Sequence, residues 1–220
     1  MKQAYTKRRP LSTGGLPGAA GLLLAMLLCA AVSACGGGGP PPKPTPQSED
    51  PTNVLWGYGE KAITLRFQAA KDVNTFEDKP HTIQLCVYQL DEQNAFNQTR
   101  GTQDGISALL QCTAFDKTVK SVTRFFLQPS EMAAYTLDRA EGALFVGIVC
   151  GYFDSTPEQS AKLWQIPLSQ EQSGHLFWKK NIYSAGGLDL RLHLSARALE
   201  EDNEVKAKDK PRTEAKELTK

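Results

Sequence analysis

The chain has 220 residues with 25 Lys+Arg, 24 Asp+Glu and 40% hydrophobic content, a balance that excludes a highly charged disordered chain and a polytopic membrane protein. A formal net charge of +1 argues against binding to a phosphate backbone, which requires a clustered basic surface. Removal of the first 34 residues, which hold Lys2, Lys7, Arg8 and Arg9 and no acid, leaves 21 basic and 24 acidic residues, a net of −3.

The N-terminus has the pattern of a secretory signal: the basic stretch Lys7-Arg8-Arg9, then 14 uncharged residues from Ala19 to Val32. As a helix that run reaches roughly 21 Å, short of a bilayer core of about 30 Å, so cleavage is expected rather than a permanent span. The Arg8-Arg9 pair also admits twin-arginine export, but Pro10 and Leu11 fit that pattern poorly. Val32-Ser33-Ala34-Cys35 resembles the lipobox of bacterial lipoproteins, an aliphatic residue and two small ones before the thiol that takes the lipid. The resemblance makes Cys35 the lipidated first residue of the mature chain, and Gly36 in place of Asp implies passage onward to the outer membrane. An ordinary signal peptide cut after Ala34, with Cys35 a free thiol, is the alternative.

Residues 36 to 52 (GGGGPPPKPTPQSEDPT) offer almost nothing to a core and are expected to form, with Cys35, a tether over 35–52. Polyproline II geometry at about 3.1 Å per residue gives it a reach of roughly 50 Å.

Residues 53–195 are expected to form one antiparallel β-sandwich of seven or eight strands. Ile63, Leu65 and Phe67 alternate with polar residues, as do Leu188, Leu190, Leu192 and Leu194, the mark of half-buried strands. Further strands are expected at Thr82 to Leu90, Val122 to Gln128, Ala133 to Asp138, Leu144 to Phe153, Lys162 to Pro167 and Leu176 to Tyr183, with Leu144 to Phe153 apolar enough for a central position. Between Asp91 and Val119, Phe96, Ile106, Leu109, Leu110 and Phe115 recur at helical spacing, predicting a helical insertion with Asp104 as its cap. The tail from Ala196 to Lys220, seven acids and seven bases without an aromatic, is expected to contribute nothing to a core and to be frayed helix followed by disorder.

Chemistry is sparse. His81, His175 and His193 lack a partner motif, and no G-x-S-x-G, C-x-x-C, H-x-x-x-H or phosphate-binding glycine loop is present, so neither an enzyme, a cofactor nor a metal site is expected. Beyond Cys35 the mature chain has Cys86, Cys112 and Cys150, and of three possible disulfides Cys86 with Cys112 is favoured because Cys150 lies in the apolar run, where a thiol behaves as a small hydrophobe. The connection from Ala69 to His81 is long for a tight hairpin, and Phe76 among Asp72, Glu77 and Asp78 has the character of an exposed aromatic anchor, with folding back onto the sandwich edge as its alternative.

The ordered set of lipobox, Pro-rich tether, Asp72-Val73-Asn74, Cys86-Val87-Tyr88-Gln89-Leu90, Asn94-Ala95-Phe96-Asn97, Leu109-Leu110-Gln111-Cys112, Leu137 to Ala143 and Gly151-Tyr152-Phe153 resembles the TssJ family, outer-membrane lipoproteins of type VI secretion systems. The resemblance implies a transthyretin-like sandwich facing the periplasm, non-enzymatic, binding the periplasmic C-terminal region of TssM in a complex that also holds TssL. It places the contact on the first inter-strand loop, here Asp72, Val73, Asn74, Thr75, Phe76, Glu77, Asp78 and Lys79. Pro129-Ser130 departs from the Pro-Gly usual at that turn, and the charged tail falls outside the pattern. The competing expectation is a lipoprotein that binds a small ligand or carbohydrate on Trp56, Trp164 or Trp178.

Overall fold

The computed structural model describes residues 46–174 and 178–201; the expected signal peptide, Cys35, the first part of the tether and most of the charged tail lie outside them. A single 3-10 turn, Pro51–Asn53, precedes the strands β1 (Gly59–Ala69), β2 (Ile83–Leu90), β3 (Val119–Leu127), β4 (Met132–Arg139), β5 (Phe145–Cys150), β6 (Ala161–Gln165), β7 (Leu168–Ser173), β8 (Lys180–Ala185), β9 (Leu188–Leu194) and β10 (Leu199–Glu201). Helices α1 (Asn94–Thr99) and α2 (Gln103–Leu109) lie between β2 and β3, and the one-turn α3 (Pro157–Ser160) precedes β6. Two four-stranded sheets, ordered β10-β9-β1-β4 and β3-β2-β5-β6, form the sandwich, and β7 and β8 make a separate hairpin.

Strand alternation builds the interface between the sheets. Ile63, Leu65 and Phe67 of β1 and Leu190 and Leu192 of β9 meet Ile83, Leu85 and Val87 of β2 and Val146 and Ile148 of β5 in one buried cluster. Each such side chain contributes about 1.5–3 kcal/mol on removal from water. β2 is buried on its other face too, where Cys86, Tyr88 and Leu90 pack with Phe96, Ile106 and Leu109 of the helical insertion. That third layer explains why β2 reads as apolar at nearly every position. Gly147 is part of the fit, since a Cβ there would stand 2.6 Å from the Phe96 ring. Cys86 and Cys112 are joined by a disulfide across this layer, with Cα atoms 5.3 Å apart, and Cys150 is buried and free.

The structure departs from the sequence expectations at several points. β9 runs parallel to β1, with Ile63 opposite Leu188, while the other sandwich pairings are antiparallel. Thr102, extended at φ −133°, caps α2 through a hydrogen bond from Gly105 N–H, and Asp104 sits inside the first turn. The cap therefore falls two residues earlier than expected, because the capping residue must lie outside helical φ/ψ. β7, β10 and α3 have no counterpart among the expected elements, and β8 lies later than the strand expected at 176–183. The sheet continues past Ser195: β10 pairs with β9, and Leu199 is 1% exposed, so the start of the charged tail does contribute to the core.

Candidate partner interface

Ala70 N–H donates to Leu194 O at 2.9 Å and Ser130 N–H to Ala70 O at 3.2 Å, so the end of β1 is held between the ends of β9 and the β3–β4 turn. The chain then folds tightly on itself over residues 71–74, with Val73 N–H donating to Ala70 O at 3.2 Å and Thr75 Oγ1 to Asp72 O at 2.6 Å. Asn74 is the pivot. At φ 50° it is 3% exposed, its Nδ2 donates to Thr82 O at 3.0 Å, and its Oδ1 accepts from Phe153 N–H at 2.8 Å. Both ends of the amide are satisfied, as a buried polar group requires.

Beyond the pivot, Phe76 and Lys79 pair across a two-residue turn, with N–H to O distances of 2.9 and 3.0 Å. Glu77 and Asp78, the two turn residues, both have positive φ, 49° and 59°. This is the backbone twist of a tight hairpin usually built from Asn-Gly, and here two acidic side chains hold it at a cost in strain. The tip raises Phe76, 47% exposed, against Phe153, 58% exposed, with ring centroids 5.0 Å apart. His81 completes a cluster, its ring 5.1 Å from Phe153 and 6.5 Å from Phe76, and its Nδ1 is buried without a hydrogen-bond partner.

Of the eight loop residues expected to touch a partner, Asp72, Phe76, Glu77, Asp78 and Lys79 are exposed and Thr75 is half-buried. Val73, fully buried, and Asn74 are corrections: they face inward, where one fills the core and the other ties the loop to Thr82 and Phe153, so neither is available at the surface. Phe153 and His81 were missed. The sequence reading extended the strand to Phe153, but β5 ends at Cys150, and the Asn74 carboxamide accepts from Phe153 N–H and draws the chain off the sheet. The signal that could have found Phe153 is a second aromatic, after Tyr152, where an apolar run meets Asp154 and Ser155.

The opposite end of β1 receives the N-terminal segment. Ser48 and Tyr183 exchange backbone hydrogen bonds of 2.9 and 2.7 Å, adding one bridge to β8, and Lys180 pairs with Glu49 at 2.8 Å. Asp50 caps the 3-10 turn, its Oδ1 accepting from Thr52 N–H at 2.9 Å. Arg139, 2% exposed, donates from Nη2 to Gly57 O at 3.0 Å and from Nη1 to Gly186 O, and lies 5.4 Å from the centroid of the Trp56 ring. Burial lowers the guanidinium's pKa, and no ion pair to Arg139 exists among the described residues. One side chain thus pins the segment before β1 to the β8–β9 turn. At about 3.3 Å per residue, the 11 residues of β1 separate this end from the Phe76 loop by roughly 35 Å.

A family model, the type VI secretion lipoprotein family that includes VasD, EvfM and TssJ, matches residues 61–195. The chain belongs to this family. Among solved structures, the chain matches Lip of Serratia marcescens, a membrane-bound component of the type VI secretion system, at 16% identity and TM-score 0.49, covering 64% of this chain and 97% of that one. It matches the TssJ1 lipoprotein of Pseudomonas aeruginosa at 17% identity and TM-score 0.47, covering 66% and 95%. A third match, described as the TssM C-terminal domain from EAEC, has 15% identity and TM-score 0.46, covering 64% and 96%. No curated protein sequence matches the chain.

The tryptophans of this family member do not form one platform. Trp56 and Trp164 pack against the main core, Trp164 also donating to Glu201 Oε2 at 3.1 Å, while Trp178 is 83% exposed. Among the described residues no group of three or more metal-ligating side chains converges, and no helix is long and apolar enough to cross a membrane. The Cys150 thiol is pushed far up by burial, which removes the thiolate a nucleophile needs.

Proposed function

We propose that this chain is the lipid-anchored outer-membrane component of a type VI secretion membrane complex, a non-enzymatic protein that binds the periplasmic C-terminal region of TssM, itself in complex with TssL. The observation that carries the reading is the family match over residues 61–195 combined with an exposed Phe76–Phe153 pair at the end of the sandwich remote from the N-terminal segment. In this reading Cys35 carries the acyl chains and residues 36–45 give the domain reach. Asp72, Thr75, Phe76, Glu77, Asp78 and Lys79 meet the partner, Val73 and Asn74 hold the loop in shape, and no cofactor takes part. Exposed aromatics on a rigid support are the side chains most often found as anchors of protein interfaces.

Calorimetric titration of the mature chain with the TssM periplasmic region encoded beside it tests this. Saturable binding is expected, weakened at least tenfold by Phe76→Ala and separately by Phe153→Ala, with thermal stability lowered by no more than about 1 kcal/mol. Full affinity in both variants removes this end of the molecule from the interface.

A further inference from the structure

Apart from Phe126, Met132 and Trp178, the exposed large apolar side chains of the described residues fall into two groups. Phe76 and Phe153 stand at the loop end. At the other end Leu55, Tyr58 and Leu168 are 66%, 63% and 37% exposed. Arg139 links the backbones that carry two of them: it holds Gly57, next to Tyr58, and Gly186, whose N–H donates to Pro167 O at 3.1 Å beside Leu168, while Leu55 lies three residues before Tyr58. Around this patch Lys61 pairs with Glu60 at 3.5 Å and Lys180 with Glu49 at 2.8 Å, while Asp138, which accepts from Tyr58 Oη and Lys61 N–H, has no ion pair among the described residues. Tyr58 therefore presents an apolar ring with its hydroxyl already bonded, the amphipathic character that suits the boundary between lipid and water.

We propose that Leu55, Tyr58 and Leu168 form a contact with a neutral lipid surface, which sets the domain upright with the Phe76 loop pointing away from the membrane. The occupant follows from where the chain leaves the domain. The N-terminal segment enters at this end, and only the 11 residues of 35–45, from Cys35 through Thr45, come before the described structure begins. Fully extended, they span at most about 40 Å. A domain held on so short a leash meets the membrane surface often, and it meets it with the end to which the leash is attached. Two ion pairs and the Asp138 carboxylate leave these groups with no excess of cations, which favours a zwitterionic surface over an anionic one. This inference rests on the reading that the chain is held at a membrane through its N-terminus.

The test uses the mature chain with Cys35 replaced by a hexahistidine tag, attached to phosphatidylcholine vesicles containing a nickel-chelating lipid. With Cys150 buried and Cys86 bonded to Cys112, a nitrobenzoxadiazole label introduced at Leu55→Cys reports that position alone. Brominated acyl chains should quench the label at least twofold, should leave the same label at Phe153→Cys unchanged, and should lose their effect when Tyr58→Glu and Leu168→Glu are added to a chain of unaltered melting temperature. Absence of quenching at position 55, or equal quenching at both positions, overturns the proposal. Because attachment is through the tag, natural acylation does not enter this result. The mass of the N-terminal peptide from native membranes tests acylation separately, and an unmodified Cys35 would sink the anchoring reading alone.

Discussion

Asp78 and Ser130 occupy backbone conformations that suit glycine better, at φ 59° and 66°. Ser130 follows Pro129 in the β3–β4 turn, where Glu131 N–H donates to Gln128 O at 3.1 Å, so the Pro-Gly usual in the family fits that geometry more easily. Ser130→Gly and Asp78→Gly should each raise stability, by about 0.4–1 kcal/mol, because relief of strain outweighs the added freedom of the unfolded chain. Denaturant unfolding reads the difference, and a loss of stability in both variants would show that these positions are not strained. Residues of this kind mark what sequence reading could reach here. Phe76 was legible because an aromatic stood alone among acids in a long connection. Phe153 was not, because its exposure depends on a hydrogen bond from its N–H to Asn74, 79 residues away in sequence. Val73 and Asn74 were misplaced for the same reason: nothing local distinguishes a loop residue that faces the core from one that faces solvent.

Elements were legible where they border the core. β1 and β9 were found from alternation, and the helical insertion from its spacing of three and four, since in each case burial on one face writes a period into the sequence. β7 (LSQEQS) has no such period because it lies off the core, exposed at five of six positions. β10 spans three residues, too few for any pattern, yet Leu199 is buried in it and Tyr152 Oη donates to Ala198 O at 2.7 Å just before it. Leu199→Ala should therefore cost about 2–5 kcal/mol, measured by denaturant unfolding, whereas an inert tail would give a change near zero. At the start of β1, hydrogen bonds from Lys61 N–H and then Tyr58 Oη hold the Asp138 carboxyl below its ordinary value of 3.8. A depressed value in the folded state contributes stability that is complete above 3.8 and lost as pH falls below it. The Tm should drop as pH falls below about 4, and less steeply in Asp138→Asn; identical slopes would show that Asp138 does not contribute.

For the molecule as a whole, the disulfide closes a loop of 26 residues that holds the end of β2 and the helical layer and leaves the rest of the two-sheet core outside it. Replacing Cys86 and Cys112 together by Ala should lower stability by about 3 kcal/mol in the chain-entropy account. The same substitution should leave affinity for the partner within about twofold, because the Phe76 loop is built on the core and not on that layer. Titration of the double variant checks this, and a large loss of affinity would tie the interface to the helices.

The parallel pairing of β1 with β9 has a consequence for how such a chain is made. β1 lies in the middle of its sheet, and its neighbours β4 and β9 both come later, Leu188 standing opposite Ile63 across 125 positions of sequence. If the chain is exported unfolded, as the proposed function implies, the first strand to emerge from a translocation channel must wait for nearly the last before its backbone is paired on both sides. Topologies dominated by such distant pairings fold slowly, on the order of milliseconds to seconds. In such export a polypeptide wired in this way would stay threadable until its C-terminal portion had crossed, and the domain would close only on the far side.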